Sequence, residues 1–351
     1  MKTCINTIKR FSFRIAAVLL LGSSLVSCDT ILDEKEVDCS INYSVKFKYD
    51  YNMKYADAFA NEVKSVTLYA FDNNGKLVYQ KTEEGDVLKQ DNYAMSVDMD
   101  PGNYHLIAWA GLNDDDSFSV PLVTQGASIE DLQCRMDRVY TKSDNGGGII
   151  NTKLSTLFHG QVTNQNFTTR AAINQEIVVP LVKNTNTIKI ILHQMDGVKI
   201  PAEDLEFTIS DNNGLMDYDN TLLEDEQLTY YSYHHESGSV LEESLTKSGE
   251  FTDISFATAE LTVGRLIENQ NAILTIRNTA EDEIILKIPV IKMFLLAKLQ
   301  GQHNMDNQEY LDRQDEYKMT FFLDKNMKWI DSQIIINEWI VRFNDINVSP
   351  V

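Results

Sequence analysis

The chain has 351 residues, with 52 acidic against 31 basic side chains and a formal net charge of −21. That balance, with no stripe of Lys and Arg, excludes nucleic acid as a partner and leaves no basic patch to meet anionic head groups. Its four cysteines, Cys4, Cys28, Cys39 and Cys134, form neither a CxxC pair nor a zinc-ligand spacing.

Residues 1–27 read as a secretion signal. Lys2, Lys9, Arg10 and Arg14 make a positive head, Ile15 to Leu21 an apolar core, and small residues follow. The apolar run is too short for a permanent membrane span. It ends in Leu25-Val26-Ser27-Cys28, which resembles the bacterial lipobox. That resemblance implies cleavage before Cys28 and acylation of its thiol, palmitate-type chains giving a firmer hold than a single chain can. Residues 28–40 are then the lipidated N-terminus and an acidic tether, Asp29 to Asp38. The acids after Cys28 resemble the export tag of surface-exposed lipoproteins. Cys39 and Cys134 remain for an oxidising compartment, and spacing leaves open whether they form a disulfide.

The rest alternates between apolar and polar residues. Ile41 to Tyr49 and Val63 to Phe71 predict half-buried strands. Asp72-Asn73-Asn74-Gly75 predicts a tight turn into a return strand, Lys76 to Thr82. Tyr93 to Met99, Tyr104 to Ala110, Leu154 to Gly160 and Gln175 to Leu181 complete a first domain, residues 41–182, with Ile129 to Arg135 ambiguous. A second domain, 183–351, opens with the strand Thr187 to His193. Strands follow near Phe207, Leu228, Phe251, Ala272, Ile284, Tyr317, Gln333 and Trp339. Helical spacing is confined to Val290 to Gln300 and, more briefly, Asp306 to Asp315. Short strands without crossover helices predict an all-β protein, packed as two tandem β-sandwiches with a short helix or two in the second.

Tyr49-Asp50-Tyr51-Asn52-Met53-Lys54, Pro101-Gly102-Asn103-Tyr104 and Leu157-Phe158-His159-Gly160 open a series of segments that, in this order, resembles the Mfa2/FimB family of fimbrillin-associated anchor lipoproteins of Bacteroides- and Porphyromonas-like bacteria. Val179 to Asn186 looks like the join between domains, followed by Met216-Asp217-Tyr218-Asp219-Asn220, Gln308 to Tyr317 and Ile334 to Arg342. The resemblance implies transthyretin-like sandwiches in an outer-membrane lipoprotein. It also implies a basal role in a fimbria or pilus, influence on its assembly or length, and fimbrillin-like subunits as partners through strand addition. A surface adhesin or glycan-binding module is the alternative.

No motif nominates an enzyme, and no cofactor is expected. Asp114-Asp115-Asp116, and Asp211 to Gly214 with Asp217 and Asp219, have oxygen-ligand chemistry but lack the calcium-loop glutamate and helices, so solvated turns are the expectation. The histidines are scattered, with no metal spacing. Trp109 and Trp339 fall on alternating strands and read as core, whereas Trp329 reads as partly exposed.

Overall fold

The computed structural model describes residues 43–140, 147–168, 175–194, 199–243, 251–330 and 334–341. The signal, Cys28, the tether and Cys39 lie outside them. The first part of the chain runs β1 (Tyr43–Lys48), α1 (Phe59–Glu62), β2 (Ser65–Phe71), β3 (Leu77–Glu84), β4 (Met95–Val97) and β5 (Gly102–Ala110). It continues through β6 (Phe118–Ser119), β7 (Cys134–Met136), β8 (Gly148–Ile150), β9 (Phe158–Phe167) and β10 (Gln175–Lys183). Seven of these form one sheet in the order β3-β2-β5-β9-β10-β1-β4, with β1 and β10 parallel and the other pairs antiparallel.

That sheet curls towards a barrel. Lys81 on β3 donates through Nζ to the Ser96 carbonyl on β4 at 2.9 Å, tying its two edges together. The alternation read from sequence explains the curl. Val45 and Phe47, Val66 and Leu68, Leu106 and Ala108, and Val179 and Leu181 all point into one apolar cluster. The neighbouring residues Tyr69, Phe71, Ile107 and Trp109 point the other way into a second cluster. β2 is consequently buried along its whole length, as a strand covered on both faces must be.

The later chain forms β11 (Thr185–Gln194), β12 (Leu205–Asp211), β13 (Leu215–Met216), β14 (Leu228–Tyr231), β15 (His234–Glu243) and β16 (Phe251–Gly264). Then come β17 (Ile273–Asn278), β18 (Glu283–Pro289), α2 (Val290–Gly301), α3 (Asn307–Arg313), β19 (Glu316–Leu323), β20 (Ile334–Ile336) and β21 (Trp339–Val341). A six-stranded sheet, β15-β16-β11-β19-β20-β21, and a five-stranded one, β18-β17-β12-β14-β8, contribute Ile188, Ile190, Phe321, Phe207 and Leu274 to the second cluster. The helix α2 packs there too, with Phe294 stacked on Tyr317 at 3.7 Å between ring centroids. Asp306 caps α3 by accepting from the Gln308 and Glu309 amides, which satisfies donors that a helix start leaves free.

Both predicted helices are present. The strand expected at Leu154 to Gly160 instead spans Phe158–Phe167 and takes in the start of Thr163 to Ala172, a stretch whose sequence fits either a connecting loop or an outer strand. Residues from the first part also serve the second cluster: β7 pairs with β13, and β8 pairs in parallel with β14. Trp109 is fully buried, but Trp339 is 45% exposed. Its strand has three residues at the sheet edge, so the indole has a neighbouring strand on one side and rests on Gly301 at the end of α2.

Candidate functional site

Five of the segments that resemble the family, around Asp50, Leu157, Lys183, Asn220 and Asp312, meet where β10 passes into β11. Lys183 ends β10, and its Nζ donates to Asp315 at 2.6 Å and Glu62 at 2.9 Å. Burial acts to lower this ammonium pKa, and the two carboxylates more than offset it, holding it above the usual value. Asn184 and Asn220 exchange amide hydrogen bonds at 2.6 and 3.1 Å in a fully enclosed setting. Asn220 adopts a positive φ of 70°, which asparagine tolerates better than most residues.

Two arginines complete the junction. Arg265 grips Asp312 with two parallel bonds of 2.8 Å and donates to the Asn220 carbonyl at 2.7 Å. A planar guanidinium suits that fork. Arg313, at the end of α3, lies 3.9 Å from the centre of the Tyr51 ring and 4.6 Å from that of Tyr55. It also donates to the Asp50 and Asn52 carbonyls just beyond β1. His159 donates through Nε2 to the Tyr218 carbonyl at 2.8 Å. Burial pushes its pKa down to about 4, so the ring is neutral near pH 7. Gly160 beside it admits no side chain, because a Cβ would run into the Pro180 carbonyl and Leu181. A cleft of about 450 Å³ remains, lined by Tyr51, His159, Gln161, Asp219, Asn220 and Arg265.

The acidic turns turn out to be structural. Asp115 accepts from the Ser117 amide, and Asp219 from the Thr221 amide and hydroxyl. The turn after β12 is not solvated as expected. Asp211 and Asn213 are buried, and Asn213 accepts from Tyr230 and donates to the Arg265 carbonyl. Asp211 Oδ2 has no hydrogen-bond partner among the described residues, and burial raises this carboxyl to about 6. No group of His, Cys, Asp and Glu among the described residues is arranged to hold a metal. Cys134 is buried in β7, and burial pushes its thiol pKa up. Its proposed partner Cys39 lies outside the described residues.

A third feature comprises the sheet edges. β4, β8 and β21 have three residues each. β3 is tied to β4 through Lys81. β18 carries Lys287, ends in Pro289 and adjoins a register shift in β17. All of these are devices that discourage further pairing. β15 has ten residues, pairs with β16 along its length, and has no second strand partner among the described residues. It has neither Lys nor Pro, and exposes His234, His235, Glu236 and Val240. Nothing in the sequence signalled this edge: the acidic, serine-rich stretch Glu236 to Glu250 reads as a loop, yet its first part belongs to β15, because pairing with β16 rather than local pattern makes it a strand.

A profile for the family described as fimbrillin-A associated anchor proteins Mfa1 and Mfa2 matches residues 35–345. Among solved structures, a candidate adhesin from Bacteroides thetaiotaomicron is 35% identical with a TM-score of 0.75, covering 86% of this chain and 98% of its own. A candidate polysaccharide-binding protein from the same species is 32% identical with a TM-score of 0.73 and the same coverage. The fimbrial anchor protein Mfa2 from Porphyromonas gingivalis shares the fold, with a TM-score of 0.61 at 17% identity over 86% of this chain and 98% of its own. No curated protein sequence matches. A profile spanning nearly the whole chain, and a structure more than 30% identical over most of it, place this chain in the family of fimbrillin-A associated anchor proteins.

Proposed function

We propose that this protein is the lipid-held foot of a fimbria, an outer-membrane lipoprotein exposed at the cell surface that assists assembly or length control of the filament. The observation carrying this reading is the family match over residues 35–345, which follows directly on a signal and a lipobox-like Cys28 in the sequence. Membrane attachment is assigned to the Cys28 lipid on the strength of the lipobox-like Leu25-Val26-Ser27-Cys28; no helix among the described residues is long and apolar enough to cross a membrane. The role is structural, not catalytic, as suits a family of anchor proteins.

Residues 41–182 and 183–351 are read as two transthyretin-like sandwiches. The cluster drawn wholly from residues between Tyr43 and Leu181 supports the first of these, the other cluster draws on both halves, and the junction at Lys183 joins them. The fimbrillin-like partner adds a strand to β15, whose long, unguarded edge supplies backbone donors and acceptors. A Cys39–Cys134 disulfide would tie the tether to the interior. A second reading, glycan binding, draws on the relative described as a candidate polysaccharide-binding protein. Here it would use the open cleft lined by Lys153, Tyr233, Glu260, Lys318 and Asn337.

The test is deletion of the gene, with complementation by wild-type, Cys28→Ser and Val240→Lys forms. Cys28→Ser should shed filaments into the medium. Val240→Lys should leave the lipoprotein displayed but uncouple the filament. Filaments of unchanged length and attachment in the deletion strain would overturn the anchor reading. A glycan array bound by the wild type, in a strain with normal filaments, would favour the second reading.

A further inference from the structure

We infer that the parallel pair β1–β10 is a mechanical clamp, which carries the tension between membrane and filament in shear. This rests on the anchor reading, since it needs a load.

The tether enters β1 at Tyr43, the N-terminal end of the strand. β1 then runs beside β10 in parallel, in a register from Tyr43↔Gln175 to Lys48↔Pro180. At the opposite end, β10 passes through Lys183 and Asn184 into β11, the strand that opens the second half. The second half also touches the chain just past the end of β1, where Arg313 stacks on Tyr51 and Tyr55 and donates to the Asp50 and Asn52 carbonyls. Lys183 joins Glu62 to Asp315 at that same end. The membrane therefore pulls on the N-terminal end of β1, and a filament held by the second half pulls on the C-terminal end of β10.

Opposed forces at opposite ends of two parallel strands run along the strands, across the ladder bonds. All six residue pairs share the load and must fail together. Had the same two strands been antiparallel, those two ends would lie side by side, and the bonds would open one after another. Side chains reinforce the ladder. Tyr43, Val45, Phe47 and Tyr49 are each at most 1% exposed, so sliding β1 lengthwise drags four enclosed groups through the core. The Tyr43 ring meets Phe167 edge-on at 4.5 Å, and the Phe47 ring stacks on Phe59 at 5.9 Å. β1 is not an edge strand either, because β4 pairs along its other side at Tyr43, Ser44 and Val45.

The experiment is single-molecule force spectroscopy on the chain from residue 28 onward, with handles placed by click chemistry. One handle stays at residue 28. The other sits at Lys325, an exposed position in the second half, or at Glu176, an exposed position at the N-terminal end of β10. The first geometry loads the clamp in shear, and the second opens the same pair from one end. The force for the first rupture should be at least roughly twice as high in the 28/325 geometry, because evenly spaced parallel bonds then break together rather than in sequence. Equal forces, or a weaker 28/325 geometry, would overturn the clamp. Neither result depends on a filament, so the clamp can fail while the anchor reading stands. The deletion strain tests that reading separately.

Discussion

Replacing Lys183 by Met removes the charge at the junction while keeping most of the buried stem. Its ammonium lies 2.6 Å from Asp315 and 2.9 Å from Glu62, and the Lys183 side chain is 13% exposed. Hydrogen bonds to charged groups contribute about 1.5–3 kcal/mol each. Water reaches both carboxylates, which are 26% and 34% exposed, so the lower end of that range applies. Glu62 and Asp315 are then left facing each other. At ~5 Å and an effective dielectric near 20, two like charges repel by about 3 kcal/mol, part of which rotation into solvent relieves. A loss of about 3–4 kcal/mol follows, within the range for stripping one partner from a buried pair. The assay is urea unfolding at pH 7, read by tryptophan fluorescence, of the chain from residue 28 onward with Cys28→Ser. The double variant Lys183→Met/Asp315→Asn should recover at least ~1 kcal/mol of the loss, because the repulsion is gone. A single-variant loss below about 1 kcal/mol, or no recovery in the double variant, would show that the junction is a solvated surface contact.

Two buried groups set opposite pH dependences. Burial raises Asp211 from an ordinary 3.8 to about 6. The folded state therefore favours its protonated form, and this contribution to stability, full below 3.8, is lost as pH rises through 6. Asp211→Asn should raise stability at pH 7–8 by up to about 3 kcal/mol and leave it unchanged near pH 3; an unchanged melting temperature at both would refute this. His159, lowered from 6.5 to about 4 by burial, contributes stability that is full above 6.5 and lost as pH falls through 4. His159→Gln should flatten the melting profile between those values, and an unaltered slope would count against a neutral buried ring. Gly160→Val should give no soluble folded protein, because its side chain meets the Pro180 carbonyl; a normal circular-dichroism melt would show that β10 can shift aside. Cys134, enclosed in the core, should resist alkylation until the chain is unfolded. Mass analysis of unfolded, unreduced protein then decides the proposed disulfide: two alkylated cysteines exclude it, and none supports it.

Most strands were legible because their burial alternates with period two, and both helices because theirs does not. The sheet order was not legible. Alternation at β2 says that one face is buried, but both of its faces are, since the second cluster covers what a lone sandwich would leave to solvent. Trp339 followed the same alternation and still came out exposed, because a three-residue edge strand has no neighbour to cover it. The junction was half legible. Lys183, Asn220, Asp312 and Arg313 all fall in segments that resemble the family, but nothing local shows that Lys183 and Asp315, 132 residues apart, meet there. The Asp211 turn has the composition of any surface turn, which points to solvent, and its burial comes from Tyr230 on β14 and the Arg265 carbonyl just past β16.

The covalent spine of the molecule avoids every edge. β10 lies between β9 and β1, and β11 lies between β16 and β19, paired in parallel to β19 over eight residues. The single residue between them, Asn184, is fully enclosed and bonded to Asn220. Tension entering at β1 thus reaches β11 through strands that have partners on both sides. The edges lie elsewhere, with β15 separated from β11 by β16. A strand added at β15 would load the ten-residue antiparallel pair β15–β16, and whether that pair is sheared or peeled depends on the direction in which the added strand runs. An anchor built to hold needs shear there as well. The incoming segment should therefore be pulled along the axis of β15. A photo-crosslinker at Ser239 that joins the filament subunit to β15 in one fixed orientation would meet that requirement; crosslinks in both orientations would show that this edge is not the load-bearing contact.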